Sequence, residues 1–194
     1  MNQIKVKKIG AHIANELSSI CLLEAHDSIL KMNYHYITKT DLKNGDGLRV
    51  VLWVAGCNHM CKNCHNPETW DHNGGKLFDE NAKQELLDEL KKDYISGITF
   101  SGGDPLFPAN REVVGQLIEE ISKKFPDKTI WCYTGYLFEQ IKDLPFLKYI
   151  DVLIDGPFIE SQKELKLKWK GSKNQRVIMV KDSLKQNKII LKDE

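Results

Sequence analysis

Apolar residues fall along this chain in short continuous runs separated by stripes at helical spacing. Val50 to Val54 is an unbroken apolar run, which suits a parallel strand buried on both faces. From Asp79 to Lys92 the apolar positions Ala82, Leu86, Leu87 and Leu90 recur as one helix face, and Ile98 to Phe100 is a short strand running into Ser101-Gly102-Gly103-Asp104-Pro105. The pattern repeats: an amphipathic helix from Arg111 to Lys124, a strand from Thr129 to Tyr133, a short helix near Leu137 to Lys142, a strand from Ile150 to Ile154 and a last strand from Arg176 to Val180. Strands alternating with helices predict parallel strands joined by right-handed crossovers. About five core strands are too few for the eight βα units and roughly 250 residues of a closed barrel, so the expected fold is α/β, a partial or open βα barrel with mainly parallel strands.

Such sheets bind ligands outside the carboxyl ends of their strands. The distinctive loops all fall there: a cysteine loop after the first core strand, Gly102-Gly103 after the second, Tyr133-Thr134-Gly135 after the third and Asp155-Gly156 after the fourth. Ahead of this region Ile13, Leu17, Ile20 and Cys21 share one helix face, so residues 1–31 read as an N-terminal extension, helical and docked or partly ordered, before a main domain at 32–194. Met32 is a candidate alternative start.

Composition narrows the class without naming it. Charged residues make up 28% and apolar residues 41% of the 194, and no apolar run approaches the roughly 18 to 20 residues of a membrane span. A formal charge of +1 offers no bulk attraction to nucleic acid or to an anionic membrane. The early lysines precede His12, Asn15 and Glu16 instead of an apolar core, which argues against a secretory signal. Cys21, Cys57, Cys61, Cys64 and Cys132 are odd in number with three clustered, unlike a secreted disulfide framework, so a reducing cytoplasm is expected.

Cys57, Cys61 and Cys64 form a C-x3-C-x2-C triplet that can reach one inorganic centre. Structural zinc takes four protein ligands, with His59 or His65 as the available fourth; a cubane iron–sulfur cluster normally takes four cysteinates, and three would leave one iron open to a small molecule. Cys132 sits in the apolar run Ile130-Trp131-Cys132-Tyr133, and Cys21 on an apolar helix face, so both read as buried structural thiols. His59 and His65 read as solvated or locally hydrogen-bonded histidines outside the metal shell. Gly102 and Gly103 permit close backbone approach to a ligand and can direct N–H groups at a carboxylate or phosphate.

Cys57-x3-Cys61-x2-Cys64 followed by Ser101-Gly102-Gly103-Asp104-Pro105 resembles the radical S-adenosylmethionine enzymes, and among them the group that activates anaerobic ribonucleoside-triphosphate reductase. Further segments resemble that group in order: Asn33-Tyr34-His35, Asn44-Gly45-Asp46-Gly47, Asn66-Pro67-Glu68-Thr69-Trp70, Trp131-Cys132-Tyr133-Thr134-Gly135-Tyr136, Asp151 to Gly156 and Trp169 to Arg176. The likeness runs from Asn33 to about Val180. Asp46, where proline is frequent, and His65, where tyrosine is common, depart from it.

The resemblance implies that Cys57, Cys61 and Cys64 bind a 4Fe-4S cluster and that S-adenosylmethionine chelates the open iron. Reductive cleavage then gives methionine and a 5′-deoxyadenosyl radical, which takes a hydrogen atom from the α-carbon of a glycine on the large reductase subunit. It places Gly102 and Gly103 against the methionyl moiety, Asp104 toward the ammonium group or holding the loop, and Asn63 and His65, which flank the cofactor-binding Cys64, within reach of the adenosine. The implied partners are that large subunit and reduced flavodoxin or a similar electron donor. Asp151 and Asp155 are assigned no role, and the Trp169 to Arg176 segment is a candidate for meeting the partner or covering the site. Two other readings stand beside this one: an activator of another glycyl-radical enzyme such as pyruvate formate-lyase, and a non-catalytic zinc or electron-transfer module.

Overall fold

The structure is a computed structural model that describes residues 31–193. The N-terminal helix read from Ile13 to Cys21 therefore lies outside the described residues. Seven strands form one open sheet: β1 (Asn33–Asp41), β2 (Arg49–Val54), β3 (Lys76–Leu77), β4 (Gly97–Gly102), β5 (Thr129–Tyr133), β6 (Val152–Asp155) and β7 (Arg176–Met179), in the order β3-β1-β2-β4-β5-β6-β7. The four central strands are parallel, as their apolar runs predict. Both flanks are antiparallel, which the sequence reading did not anticipate: β1 pairs with β2 and β3, and β7 pairs with β6. The cause at β7 is the connection. No α-helix carries the chain back between Asp155 and Arg176, so it re-enters the sheet from the end at which it left.

Helices α1 (Glu80–Leu90), α2 (Arg111–Lys124), α3 (Phe138–Ile141) and α4 (Val180–Gln186) complete the fold. Asp79 caps α1, accepting a hydrogen bond from the Ala82 N–H at 2.9 Å. The predicted stripes, Leu86, Leu87 and Leu90 on α1 with Val114, Leu117, Ile118 and Ile121 on α2, pack on Val50, Leu52, Val54, Ile98, Phe100 and Leu153 to make the main core. Among the described residues no helix is long and apolar enough to cross a membrane.

The opposite face of the sheet is partly polar, and one cation organises its lower end. Arg49 is fully buried and donates from Nε to Thr99 Oγ1 at 2.8 Å, from Nη1 to Asp46 O and Thr129 Oγ1, and from Nη2 to Ile98 O and Thr129 O. Burial pushes its pKa down to about 10, with Asp151 and Asp46 acting in the opposite direction, so it stays charged at neutral pH. It therefore stitches β2, β4 and β5 together beneath the site. Arg49→Met keeps the stem but leaves the buried Ile98 carbonyl and the part-buried Asp46 and Thr129 carbonyls without that donor, and is expected to lower stability by about 2–4 kcal/mol, seen as a lower urea midpoint at unchanged m-value.

Candidate functional site

The cysteine loop leaves the C-terminal end of β2 as predicted. Gly56 turns the chain at φ 105°, a conformation that excludes a side chain cheaply only for glycine. The loop is closed at its base by Gly56 N–H to Thr69 O at 2.8 Å and Cys57 N–H to Trp70 O at 3.0 Å. Asn110, at the start of α2, adds a hydrogen bond from Nδ2 to Ala55 O at 2.9 Å. Inside this closure Met60 and Asn63 adopt positive φ of 47° and 55°, which coils the backbone and keeps all three cysteines on one short arc.

All three thiols are free and half-buried. Asn66 N–H bonds the sulfur of Cys64 at 3.4 Å, and the backbone N–H groups of His59 and Phe158 act to lower the Cys57 and Cys61 thiols. Burial pushes the Cys57 thiol up to about 11 and raises Cys61 too, with the neighbouring thiols adding to the rise. These sulfurs are thus protonated at neutral pH until a metal takes the proton's place, while the N–H groups wait to stabilise the thiolates. Among the described residues no group of three or more His, Cys, Asp or Glu side chains is arranged to hold a single ion. A mononuclear zinc site needs that convergence; a cubane distributes its cysteines over separate irons, and three soft sulfur donors with N–H support fit it. Cys132 is completely buried in the core on the helix side of β5, in keeping with a structural thiol; Cys21 lies outside the described residues.

The glycine turn follows β4 and lies directly against the base of the cysteine loop. A Cβ on Gly102, at φ 107°, would fall 2.5 Å from Val54 O, and one on Gly103 would fall 2.4 Å from Gly56 O. The expectation that the glycine N–H groups point at a ligand is not met at Gly103, whose N–H bonds Val54 O at 2.9 Å; the next N–H, of Asp104, bonds Gly56 O at 2.8 Å. The glycines are small because two backbones meet there.

Asp104 fastens several loops of the site to one another. Its carboxylate is 1% exposed and accepts from Leu106 N–H at 2.8 Å, Thr134 Oγ1 at 2.9 Å, Gly135 N–H at 2.9 Å and His59 Nε2 at 2.8 Å. Sequence reading missed this hub because His59 and Thr134 lie 45 and 30 residues away in the chain. The available signal was topological: all three occupy strand ends on the same edge.

Beyond β6 the chain crosses the mouth of the site as a strap, residues 157–175. Glu160 holds it to the cysteine loop through an ion pair with Lys62 at 3.1 Å and a hydrogen bond from Asn63 Nδ2. Between strap and sheet lies a cleft of about 390 Å³, lined by Asn63, Cys64, His65, Tyr133, Trp169 and Gln175. That volume falls in the range of small-molecule sites. Asn63 and His65, expected within reach of the adenosine, both line it, as does Cys64 between them. Asp155, left unassigned, is fully buried and accepts from Phe138 N–H at 2.7 Å and from Arg176, while Asp151 accepts from Ile130 N–H at 2.7 Å; both tie elements together.

Fold and three-thiol loop together define the class. Residues 43–178 match the family described as 4Fe-4S single cluster domain, so this is an iron–sulfur protein. Among curated proteins, the chain is 49% identical over 146 residues to the anaerobic ribonucleoside-triphosphate reductase-activating protein of Enterobacteria phage T4, covering 75% of this chain and 93% of that one. The proteins of the same name from Haemophilus influenzae and Escherichia coli K12 are 43% and 38% identical, with 74% and 75% of this chain and 96% and 97% of theirs covered. The chain belongs to the anaerobic ribonucleoside-triphosphate reductase-activating protein family.

Proposed function

We propose that this chain activates anaerobic ribonucleoside-triphosphate reductase by installing a glycyl radical on its large subunit. One observation carries the reading: three half-buried thiols stand on a loop locked to a glycine turn, beside a cleft of small-molecule size. When bound, the cluster supplies the electron for reductive cleavage of S-adenosylmethionine, whose radical product takes the glycine α-hydrogen. Cys57, Cys61 and Cys64 hold the cluster and leave one iron without a protein ligand. Gly102 and Gly103 present a surface free of side chains to the methionyl end, Asn63 and His65 border the adenosine, and Asp104 keeps both loops in register. The strap shields the cleft from water.

On this reading residues 32–194 form a radical S-adenosylmethionine domain, curved as a partial βα barrel and preceded by a separate extension at 1–31. It works in the cytoplasm with reduced flavodoxin or a similar donor. The test is radical transfer. Anaerobically reconstituted protein, given dithionite and S-adenosylmethionine, is expected to place a glycyl electron-paramagnetic-resonance signal on purified reductase. A signal on pyruvate formate-lyase and none on the reductase would overturn the choice of partner; a colourless, zinc-containing protein that leaves S-adenosylmethionine intact would overturn the chemistry.

A further inference from the structure

His59 is the second of three residues between Cys57 and Cys61, and no feature of its position in the sequence marks it out. In the folded chain it is the point at which the cysteine loop is fastened to the rest of the site. Its side chain is 18% exposed, and Nε2 lies 2.8 Å from Oδ2 of the buried Asp104. The other partners of this carboxylate, Leu106 N–H, Thr134 Oγ1 and Gly135 N–H, all donate to it, so Nε2 is assigned as a further donor. The ring meets Tyr136 edge-on, centroids 4.6 Å apart, and the Arg111 guanidinium lies over the same tyrosine at 4.8 Å. Gly135 supplies the remaining wall: a Cβ there would lie 2.4 Å from the imidazole, so only glycine leaves room for the ring.

The main chain of the same residue faces the metal site. Its N–H acts to lower the Cys57 thiol, and the next residue, Met60, holds the left-handed conformation at φ 47°. A side chain other than glycine occupies that region only when its surroundings enforce it. The ring fastened to Asp104 is the adjoining restraint, so one residue couples the glycine turn and the end of β5 to the direction of an N–H at a cysteine sulfur.

We propose that His59 is a positioning residue for the iron–sulfur cluster: Asp104 fixes its ring, and the fixed ring holds the backbone between Cys57 and Cys61 so that its N–H is directed at the ligating sulfur. The inference rests on the reading of Cys57, Cys61 and Cys64 as the cluster ligands. Hydrogen bonds to ligating sulfur stabilise the reduced, more negative cluster, and partners outside the ligand set orient the ligands themselves. Loss of the restraint therefore makes the cluster both harder to reduce and easier to strip.

His59→Phe keeps the ring packing and removes the hydrogen bond; His59→Gln restores an N–H donor near the Nε2 position. In His59→Phe, iron loss to a chelator is expected to quicken about 10-fold or more, within the range typical of such partners. The midpoint potential, followed by electron paramagnetic resonance, should move to a more negative value. In metal-free protein, amide hydrogen exchange across residues 57–61 should accelerate, a readout that needs no cluster. His59→Gln should recover most of all three. If His59→Phe does not fold, Gly135→Ala, whose methyl group takes the place of the ring, must produce the same three changes. Wild-type iron retention, potential and exchange in the variant that folds would overturn the proposal, and so would a glutamine variant as impaired as phenylalanine. Wild-type protein that takes up no iron would instead overturn the ligand assignment on which the proposal rests.

Discussion

Cys61→Ala is expected to give a folded, colourless protein that no longer cleaves S-adenosylmethionine. The cluster reading calls for about four irons per chain in the reconstituted wild type. Cys61 is half-buried in a loop closed by backbone bonds at Gly56 and Cys57, and its own backbone carbonyl, which accepts from Cys64 N–H at 3.0 Å, is kept in the alanine variant. Its truncation should thus cost about 1 kcal/mol of stability or less, within the range of ordinary surface substitutions. The chemical loss is complete by comparison, because two remaining cysteinates cannot hold a cubane against solvent exchange. Cys132→Ala is the matching control: it opens a small core cavity costing about 1–2 kcal/mol, while iron content and cleavage persist. Iron analysis and product chromatography on both variants decide it. Cleavage that survives in Cys61→Ala, or disappears in Cys132→Ala at full stability, would undo the ligand set.

How much of this was legible beforehand follows from the physics of each signal. The central strands announce themselves because a strand buried on both faces must be apolar throughout, as Val50 to Val54 is. β1 does not, because Asn33 to Asp41 is a half-exposed antiparallel strand whose tyrosines and threonines alternate with polar residues. α4 was absorbed into the end of the last strand: Val180 is fully buried and continues the apolar run of β7 although the backbone has already turned helical. The direction of β7 is a property of the strap before it, and no residue of Arg176–Met179 encodes it. Spacing alone placed the three cysteines and the two glycines. It misjudged what the Gly103 N–H contacts, because a glycine required by a neighbouring backbone and a glycine required by a ligand look the same in sequence. The hub at Asp104 was out of reach, since its four donors come from three loops and converge only after the sheet has formed.

Asp104→Ala is expected to destabilise the metal-free protein by about 3–5 kcal/mol, since it removes an ionised acceptor and leaves buried donors unpaired. The donors concerned are the Leu106 and Gly135 N–H groups, the Thr134 hydroxyl and His59 Nε2, all within 2.9 Å of a carboxylate that is 1% exposed. Asp104→Asn should cost less, about 1–3 kcal/mol, because one carbonyl oxygen still accepts while the amide NH2 turns a donor toward donors. The pair of variants separates the two roles open to this carboxylate from sequence. Were it a direct contact to the ammonium group of S-adenosylmethionine, Asp104→Asn would raise the KM for that molecule and leave urea unfolding of the metal-free chain unchanged. The geometry calls for the opposite ordering: stability falls first, and the loss of S-adenosylmethionine binding follows in proportion as the cysteine loop and the glycine turn lose their common anchor. Unchanged unfolding with a raised KM would return Asp104 to direct contact with the cofactor and leave His59 without its tether.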